Sequence, residues 1–260
     1  MKPNLIIFGL VLILFTIVYF AFKNFNENNS QRVITAGKKI LSHEELIAQL
    51  LDNPNEFILK YVSIPYDYGY GSNLIPLVIS SLITKGDLLE LGMGLFSTTV
   101  LHRVSSDLGK DLVSIDTYSD WVNKFVLYNS TKYHKMYVMN NFDNVEKRLS
   151  LGNKKWGMVL VDHANATQRT FDAKNYANKA EIVLIHDAEK TVEHGYKYEE
   201  NKIREPFRYF CKFSVFSRSD KSSYVSTLML SKTVDFKLME TILNKAKTDY
   251  GHISCDHINF

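Results

Sequence analysis

The most constraining stretch of this chain is a short apolar segment that ends in two glycines, GDLLELGMGLFST at residues 86–98. Its first half, residues 87–91, has the length and apolar character of a buried strand. Gly92 and Gly94 then allow the backbone to turn sharply and to come close to a ligand. With Glu90 they form the pattern E-x-G-x-G. A strand, a glycine turn and a helix in this order are typical of nucleotide-binding sites.

A second apolar segment, residues 112–115, ends on Asp116. An acid at the end of the strand that follows a glycine turn can accept hydrogen bonds from both hydroxyls of a ribose. The third glycine of the nicotinamide fingerprint is absent, because Leu95 and Phe96 follow Gly94, so no diphosphate has to be held there. The two segments together predict a nucleoside site, and a plain tight turn is the alternative interpretation.

Short apolar strands alternate with helical patterns along the rest of the chain. Further strands are predicted at residues 134–139, 156–161 and 180–185, and two more, at 207–217 and 224–230, have no helix between them. The pattern predicts an α/β fold, with a Rossmann-like, doubly wound, mostly parallel seven-stranded sheet and an antiparallel edge hairpin. Helices are predicted at residues 73–84, 96–108, 120–128, 142–151 and 235–247.

In the glycine turn and the segment that ends on Asp116, the chain resembles the class I S-adenosylmethionine-dependent methyltransferases. LELGMG is similar to the first motif of that family and SIDTY to the second, and the resemblance extends over about residues 73–232. It implies S-adenosylmethionine as the cofactor. Gly92 and Gly94 would admit its methionine part, Glu90 would orient the turn or meet its amino group, and Asp116 would hold the ribose.

Titratable residues follow the fourth and fifth predicted strands. Asp162 and His163 come after the fourth, and His186 and Asp187 come at the end of the fifth. Because the carboxyl ends of parallel strands share one edge of a sheet, we expect all four side chains beside the glycine turn. Three interpretations stay open: a divalent metal held by Asp162, Asp187 and His186, metal-free catalysis with His163 or His186 as the general base, or simple helix capping.

The surroundings of these residues, VLVDHA and VLIHDAE, resemble the metal-dependent O-methyltransferases and, more loosely, the glucuronoxylan O-methyltransferase group. The resemblance implies magnesium or manganese beside an acceptor hydroxyl. Ala188 departs from it, because the catechol-type enzymes carry an amide ligand there. A hydroxyl needs help in losing its proton, so the four groups favour a sugar or small-molecule hydroxyl as acceptor. Tyr196, Tyr198, Arg204 and Arg208 are candidates for the acceptor pocket.

An unbroken apolar run occupies residues 5–22. It is long enough to cross the hydrocarbon core of a bilayer, about 30 Å, and no signal-cleavage site follows it. We therefore expect a single-pass membrane anchor over residues 1–23. Its orientation stays open, because the lysines and arginine after the run favour a cytoplasmic domain, whereas the glycosylation sequons at Asn28, Asn129 and Asn165 act only in the secretory pathway.

The anchor is followed by two further parts. Residues 24–72 contain a polar linker, an amphipathic helix and a tyrosine-rich loop at residues 60–72. Ser42 and Glu45 have the spacing of a capping box, which predicts that the helix begins there. We expect residues 73–260 to form the methyltransferase-like domain.

The amino-acid composition excludes few classes of function. A formal charge of +3 without long basic runs gives no indication of nucleic-acid binding. Cys211 and Cys255 are the two cysteines, far apart and without a C-x-x-C pattern, so neither a disulfide nor a cysteine zinc site is expected. Cys211, within an aromatic segment, is expected to be a small core residue.

Two other functions remain as alternatives. A nicotinamide-dependent oxidoreductase would use a similar fold, although the third glycine and a Tyr-x-x-x-Lys pair are missing. A non-catalytic, membrane-tethered interaction module would keep the fold and bind cofactor weakly or not at all.

Overall fold

In the computed structural model, the described residues are 42–62, 70–189, 193–216, 224–246 and 251–257. The predicted anchor lies outside them, as does most of the predicted tyrosine-rich loop. Among the described helices, none is both long and apolar enough to cross a bilayer.

Eight strands form one sheet: β1 (Asp87–Leu91), β2 (Leu112–Asp116), β3 (His134–Val138), β4 (Trp156–Val161), β5 (Ala180–His186), β6 (Tyr209–Phe216), β7 (Tyr224–Ser231) and β8 (Gly251–His257). Their order across the sheet is β3-β2-β1-β4-β5-β7-β6-β8. The strands β1 to β5 are parallel, and β6, β7 and β8 are antiparallel to their neighbours. The chain reverses its direction across the sheet between β1 and β4, which is where such folds form a ligand crevice.

The described helices are α1 (His43–Asp52), α2 (Pro54–Tyr61), α3 (Tyr70–Ile83), α4 (Ser97–Leu108), α5 (Ser119–Val122), α6 (Val145–Arg148), α7 (Arg169–Asn175), α8 (Glu193–Tyr196) and α9 (Lys237–Lys245). Helices α3 and α4 pack on one face of the parallel strands. Leu89 and Leu91 point to the other face, where they join a core cluster with Ala173 of α7. Helices therefore cover both faces, and the predicted doubly wound α/β fold is confirmed.

The edge of the sheet contains one strand more than expected. All seven predicted strands form, and the predicted antiparallel hairpin is β6 with β7. The eighth strand, β8, comes from the C-terminal tail and pairs with β6, so that Cys211 lies directly opposite Cys255. Cys211 is disulfide-bonded, and the chain has no other cysteine. The expectation of an unpaired thiol was wrong, because β8 brings together two positions that are distant in sequence.

The predicted capping box at the start of α1 is confirmed. The Oγ atom of Ser42 accepts a hydrogen bond from the Glu45 amide at 3.2 Å, and Oε2 of Glu45 accepts one from the Ser42 amide at 2.8 Å. Helix α1 then packs against α3 and α9. The helices before the sheet therefore belong to the same compact unit as the sheet.

Candidate active site

The glycine turn begins where β1 ends, and Gly92 is required there for two reasons. Its φ is +94°, in a region that residues with a side chain rarely adopt. A Cβ atom at this position would also lie 2.4 Å from the amide nitrogen of His163 and 2.5 Å from the carbonyl oxygen of Asp162. At Gly94 the nearest atom to a Cβ would be the Ser97 hydroxyl oxygen, at 2.7 Å. The end of β1 is therefore pressed directly against the end of β4.

Glu90 lies beneath this turn and is fully buried. Its Oε1 atom accepts hydrogen bonds from the hydroxyls of Ser97 at 2.8 Å and Thr98 at 3.0 Å, and its Oε2 atom accepts one from Ser114 at 2.6 Å. Burial raises its pKa from the ordinary 4.5 to about 7, although the three hydroxyls act in the opposite direction. Glu90 thus ties the first turn of α4 to β1 and β2.

Asp116, at the end of β2, is also held against the turn. Its Oδ2 atom accepts a hydrogen bond from the Met93 amide at 2.9 Å, and its Oδ1 atom accepts one from the Tyr118 amide at 3.0 Å. A carboxylate offers about four acceptor positions, so two amides leave capacity for further donors. The predicted ribose acceptor therefore lies beside the predicted glycine turn.

Asp162, His186 and Asp187 converge at the ends of β4 and β5, and we call these three residues the rim. Their ligand atoms all lie within 4.8 Å of one another. The Nδ1 atom of His186 is 3.4 Å from Oδ1 of Asp162 and 3.4 Å from Oδ1 of Asp187. Its Nε2 atom is buried and has no hydrogen-bond partner. An imidazole held at Nδ1 by carboxylates keeps Nε2 available to accept a proton.

The charges of the rim influence one another. Burial lowers the pKa of His186, but the hydrogen bond and the negative charges of Asp162 and Asp187 outweigh it and leave the pKa raised. Burial raises the pKa of Asp187, but His186 and the guanidinium of Arg169 outweigh it and leave that pKa lowered. His186 is therefore a stronger base than an isolated histidine, and Asp187 is ionised.

Arg169, in the first turn of α7, is a rim contact that the sequence interpretation missed. Its Nη2 atom is 3.2 Å from Oδ1 of Asp162, and its Nη1 atom is 3.0 Å from Oδ2 of Asp187. The Tyr196 hydroxyl donates to the same Oδ2 atom at 2.9 Å. The sequence does contain one signal for this contact, an arginine shortly after a strand that is followed by an acid. It does not reveal that helix α7 folds back and brings this arginine to the rim.

His163 does not join the other three predicted residues. Its side chain is buried, its Nε2 atom is 2.8 Å from Oδ2 of Asp172 in α7, and its ring stacks on Phe142 with 4.3 Å between the ring centres. The expected group of four is therefore a group of three, because His163 points into the packing between β4 and α7.

The residues proposed for the acceptor pocket divide into two pairs. Tyr198 donates to the carbonyl oxygen of His186 at 3.2 Å, and its ring stacks on that of Tyr196. Both tyrosines thus border the rim. Arg204 pairs with Glu199 and lies over the ring of Phe210, and Arg208 lies over Tyr209.

The rim residues offer suitable ligand atoms for magnesium or manganese, because both metals prefer oxygen and tolerate imidazole. Three of the four carboxylate oxygens already have partners, however: Oδ1 of Asp162 contacts Arg169 and His186, Oδ2 of Asp187 contacts Arg169 and Tyr196, and Oδ1 of Asp187 contacts His186. With the guanidinium in place, this arrangement does not fit a divalent cation.

The strand order is that of a Rossmann-like α/β fold, with the glycine turn and the acids at the ends of β2, β4 and β5 at one edge of the sheet. In both motifs the chain resembles the class I S-adenosylmethionine-dependent methyltransferases. Its sequence matches no protein-family model and no curated protein.

Several solved structures are similar to this chain at low sequence identity. One is cofactor-bound Rv0187 from MTB, with 11% identity, 73% of this chain and 90% of the other covered, and a TM-score of 0.49. Another is the O-methyltransferase TomG from Streptomyces achromogenes in complex with SAM, with 15% identity, 77% and 95% covered, and a TM-score of 0.47. A third is the N-methyltransferase NodS from Bradyrhizobium japonicum WM9 in complex with S-adenosyl-L-homocysteine, with 10% identity, 72% and 97% covered, and a TM-score of 0.48.

Proposed function

We propose that this protein is an S-adenosylmethionine-dependent methyltransferase that methylates a hydroxyl oxygen of a sugar or another small molecule. One observation carries the proposal: the glycine turn at Gly92 touches the backbone of Asp162, whose side chain faces His186. A nucleoside site and a general base thereby share one edge of the sheet.

The residues around the turn fit the proposed cofactor. Gly92 permits the close approach of the β1 end to the β4 end that forms the turn, and Asp116 keeps acceptor capacity for ribose hydroxyls beyond its two amide contacts. Leu95 and Tyr118, which follow the ends of β1 and β2, are 55% and 63% exposed. Apolar side chains left uncovered beside a polar site provide a surface on which a flat base such as adenine can pack.

The proposed chemistry requires little from the protein. S-adenosylmethionine, when bound, supplies a methyl group on a sulfonium that is already activated. The protein must orient the acceptor oxygen, exclude water and take up the acceptor's proton. His186 would accept that proton on Nε2, and Asp162 and Asp187 would stabilise the resulting positive charge. An amine acceptor needs this help less, which is why we propose an oxygen.

Calorimetric titration of S-adenosylmethionine into the full-length chain, held in detergent micelles, tests the cofactor assignment. We expect the wild type to bind, and Asp116→Ala to bind at least about tenfold more weakly, because the ribose loses its acceptor. Asp143→Ala, at an exposed aspartate after β3, should bind like the wild type.

A folded wild-type protein that does not bind S-adenosylmethionine would contradict the proposed function. Binding of NAD instead would favour the oxidoreductase alternative. If neither ligand binds, the interaction module becomes the better explanation.

We also propose that residues 5–22 anchor the protein in a membrane and that the folded unit faces an oxidising compartment. The disulfide of Cys211 supports this side, because disulfides persist in secretory and extracellular environments and are rare in the cytosol. The sequon residues Asn129 and Asn165 are both exposed, as glycosylation requires.

Thiol labelling tests this orientation. In protein from rapidly quenched cells, we expect a maleimide–polyethylene glycol reagent to label no cysteine until the protein has been denatured and reduced, and then to label both. The variant with both Cys211→Ser and Cys255→Ser should remain unlabelled throughout. Labelling of both cysteines in denatured but unreduced protein would contradict the proposed compartment.

A further inference from the structure

We infer that Arg169 is the resident cation of the rim and that the protein works without a divalent metal. The inference deepens the proposed function and rests on it for the reaction, but the contacts that carry it involve no cofactor. Arg169 is a positioning residue: it holds the two carboxylates that face His186, and it occupies the place where a metal would otherwise balance their charge.

The guanidinium of Arg169 is bound from every side. The residue is only 5% exposed. Its Nε atom donates to the carbonyl oxygen of His163 at 2.7 Å, and its Nη1 atom donates to the carbonyl oxygen of His186 at 3.1 Å. Together with the ion pairs to Asp162 and Asp187, these bonds engage all three nitrogens. The guanidinium thus joins the end of β4 to the end of β5.

The position of Arg169 is also fixed by its helix. Helix α7 packs on β4 and β5, and its Asp172 is held by His163 at 2.8 Å. The guanidinium also lies over the ring of Tyr196, 4.8 Å from the ring centre. Burial disfavours the charge of Arg169, but Asp162 and Asp187 outweigh it and raise the pKa above its ordinary value. A permanently charged, planar group is therefore built into the rim.

The balance of charge explains why Arg169 excludes a divalent metal from the rim. Asp162 and Asp187 together carry two negative charges, and Arg169 neutralises one of them. A divalent cation bound to the same oxygens would lie within a few ångströms of the guanidinium, where like charges repel strongly. It would also have to displace the contacts that engage three of the four carboxylate oxygens. With Arg169 present, proton transfer is left to His186.

Manganese binding to the full-length chain tests the inference. The signal of free Mn²⁺ in electron paramagnetic resonance measures binding in the absence of S-adenosylmethionine. We expect the wild type to bind no Mn²⁺ at the rim at concentrations up to about 1 mM. Arg169→Met should gain one Mn²⁺ site, with a dissociation constant at least about tenfold below that concentration. Asp162→Asn added to Arg169→Met should abolish that site. Arg169→Lys, which keeps the positive charge, should resemble the wild type.

Two outcomes would overturn the inference. The first is one tightly bound Mn²⁺ in the wild type that is lost in Asp162→Asn. The second is a folded Arg169→Met variant that binds Mn²⁺ no better than the wild type. If Arg169→Met does not fold, the Mn²⁺ titrations of the wild type and of Asp162→Asn still test the inference. Failure of the proposed function would appear separately, in the calorimetry with S-adenosylmethionine.

Discussion

Alanine at Gly92 is expected to abolish binding of S-adenosylmethionine and to destabilise the fold. The new Cβ atom would overlap the backbone of Asp162 and His163 at 2.4 to 2.5 Å, and neither the β1 end nor the β4 end can move without breaking sheet hydrogen bonds. The φ of +94° adds backbone strain. Together these effects should lower the free energy of unfolding by about 3 kcal/mol or more. Urea unfolding and cofactor calorimetry measure the two consequences.

Gly152→Ala is the matched control for this prediction. Gly152 also has a positive φ, +65°, but a Cβ atom there would meet nothing within 4 Å. The control therefore isolates backbone strain, which should cost about 1 kcal/mol and leave cofactor binding unchanged. Equal losses of stability in the two variants would show that the close approach of β1 to β4 adds nothing to the cost of a side chain at residue 92. Normal cofactor binding by Gly92→Ala would show that this close approach has no functional role.

The sheet was predictable because parallel strands buried on both faces are continuous apolar segments that end in turn residues. The bounds of β1 and β4 agree with the sequence prediction residue for residue. Asp162, His186 and Asp187 were placed together for the same reason, since strand ends of a parallel sheet meet at one edge. His163 shows where this reasoning fails: two residues beyond the end of β4, the direction of a side chain no longer follows from strand alternation.

The features that the sequence did not reveal all depend on packing between distant segments. Arg169 belongs to the short helix α7, which was not predicted, and its role follows from how α7 folds back over β4 and β5. The disulfide of Cys211 depends on β8, a strand at the sheet edge in a tail without clear alternation. Helix α6 is only Val145–Arg148, shorter than the predicted 142–151, because the rest of that segment forms turns.

Replacing His186 with glutamine is expected to slow methyl transfer strongly while leaving the cofactor site intact. His186 is the rim residue whose Nε2 atom is free of protein partners, so its loss removes the proposed base. General-base catalysis contributes about 10²- to 10⁴-fold to a rate, and we expect kcat to fall within that range. The affinity for S-adenosylmethionine should change by less than about threefold, because His186 does not belong to the glycine turn.

The pH profile distinguishes a base from a residue that merely supports the structure. A base must be neutral before it can accept a proton, so wild-type kcat should rise with pH and reach half its maximum above pH 6.5, because the pKa of His186 is raised. His186→Gln should lose this rise, whereas His43→Gln, in the first turn of α1, should keep it. The rates are measured with the first hydroxyl acceptor found among sugars and phenols. An unchanged profile in His186→Gln would show that His186 is not the base.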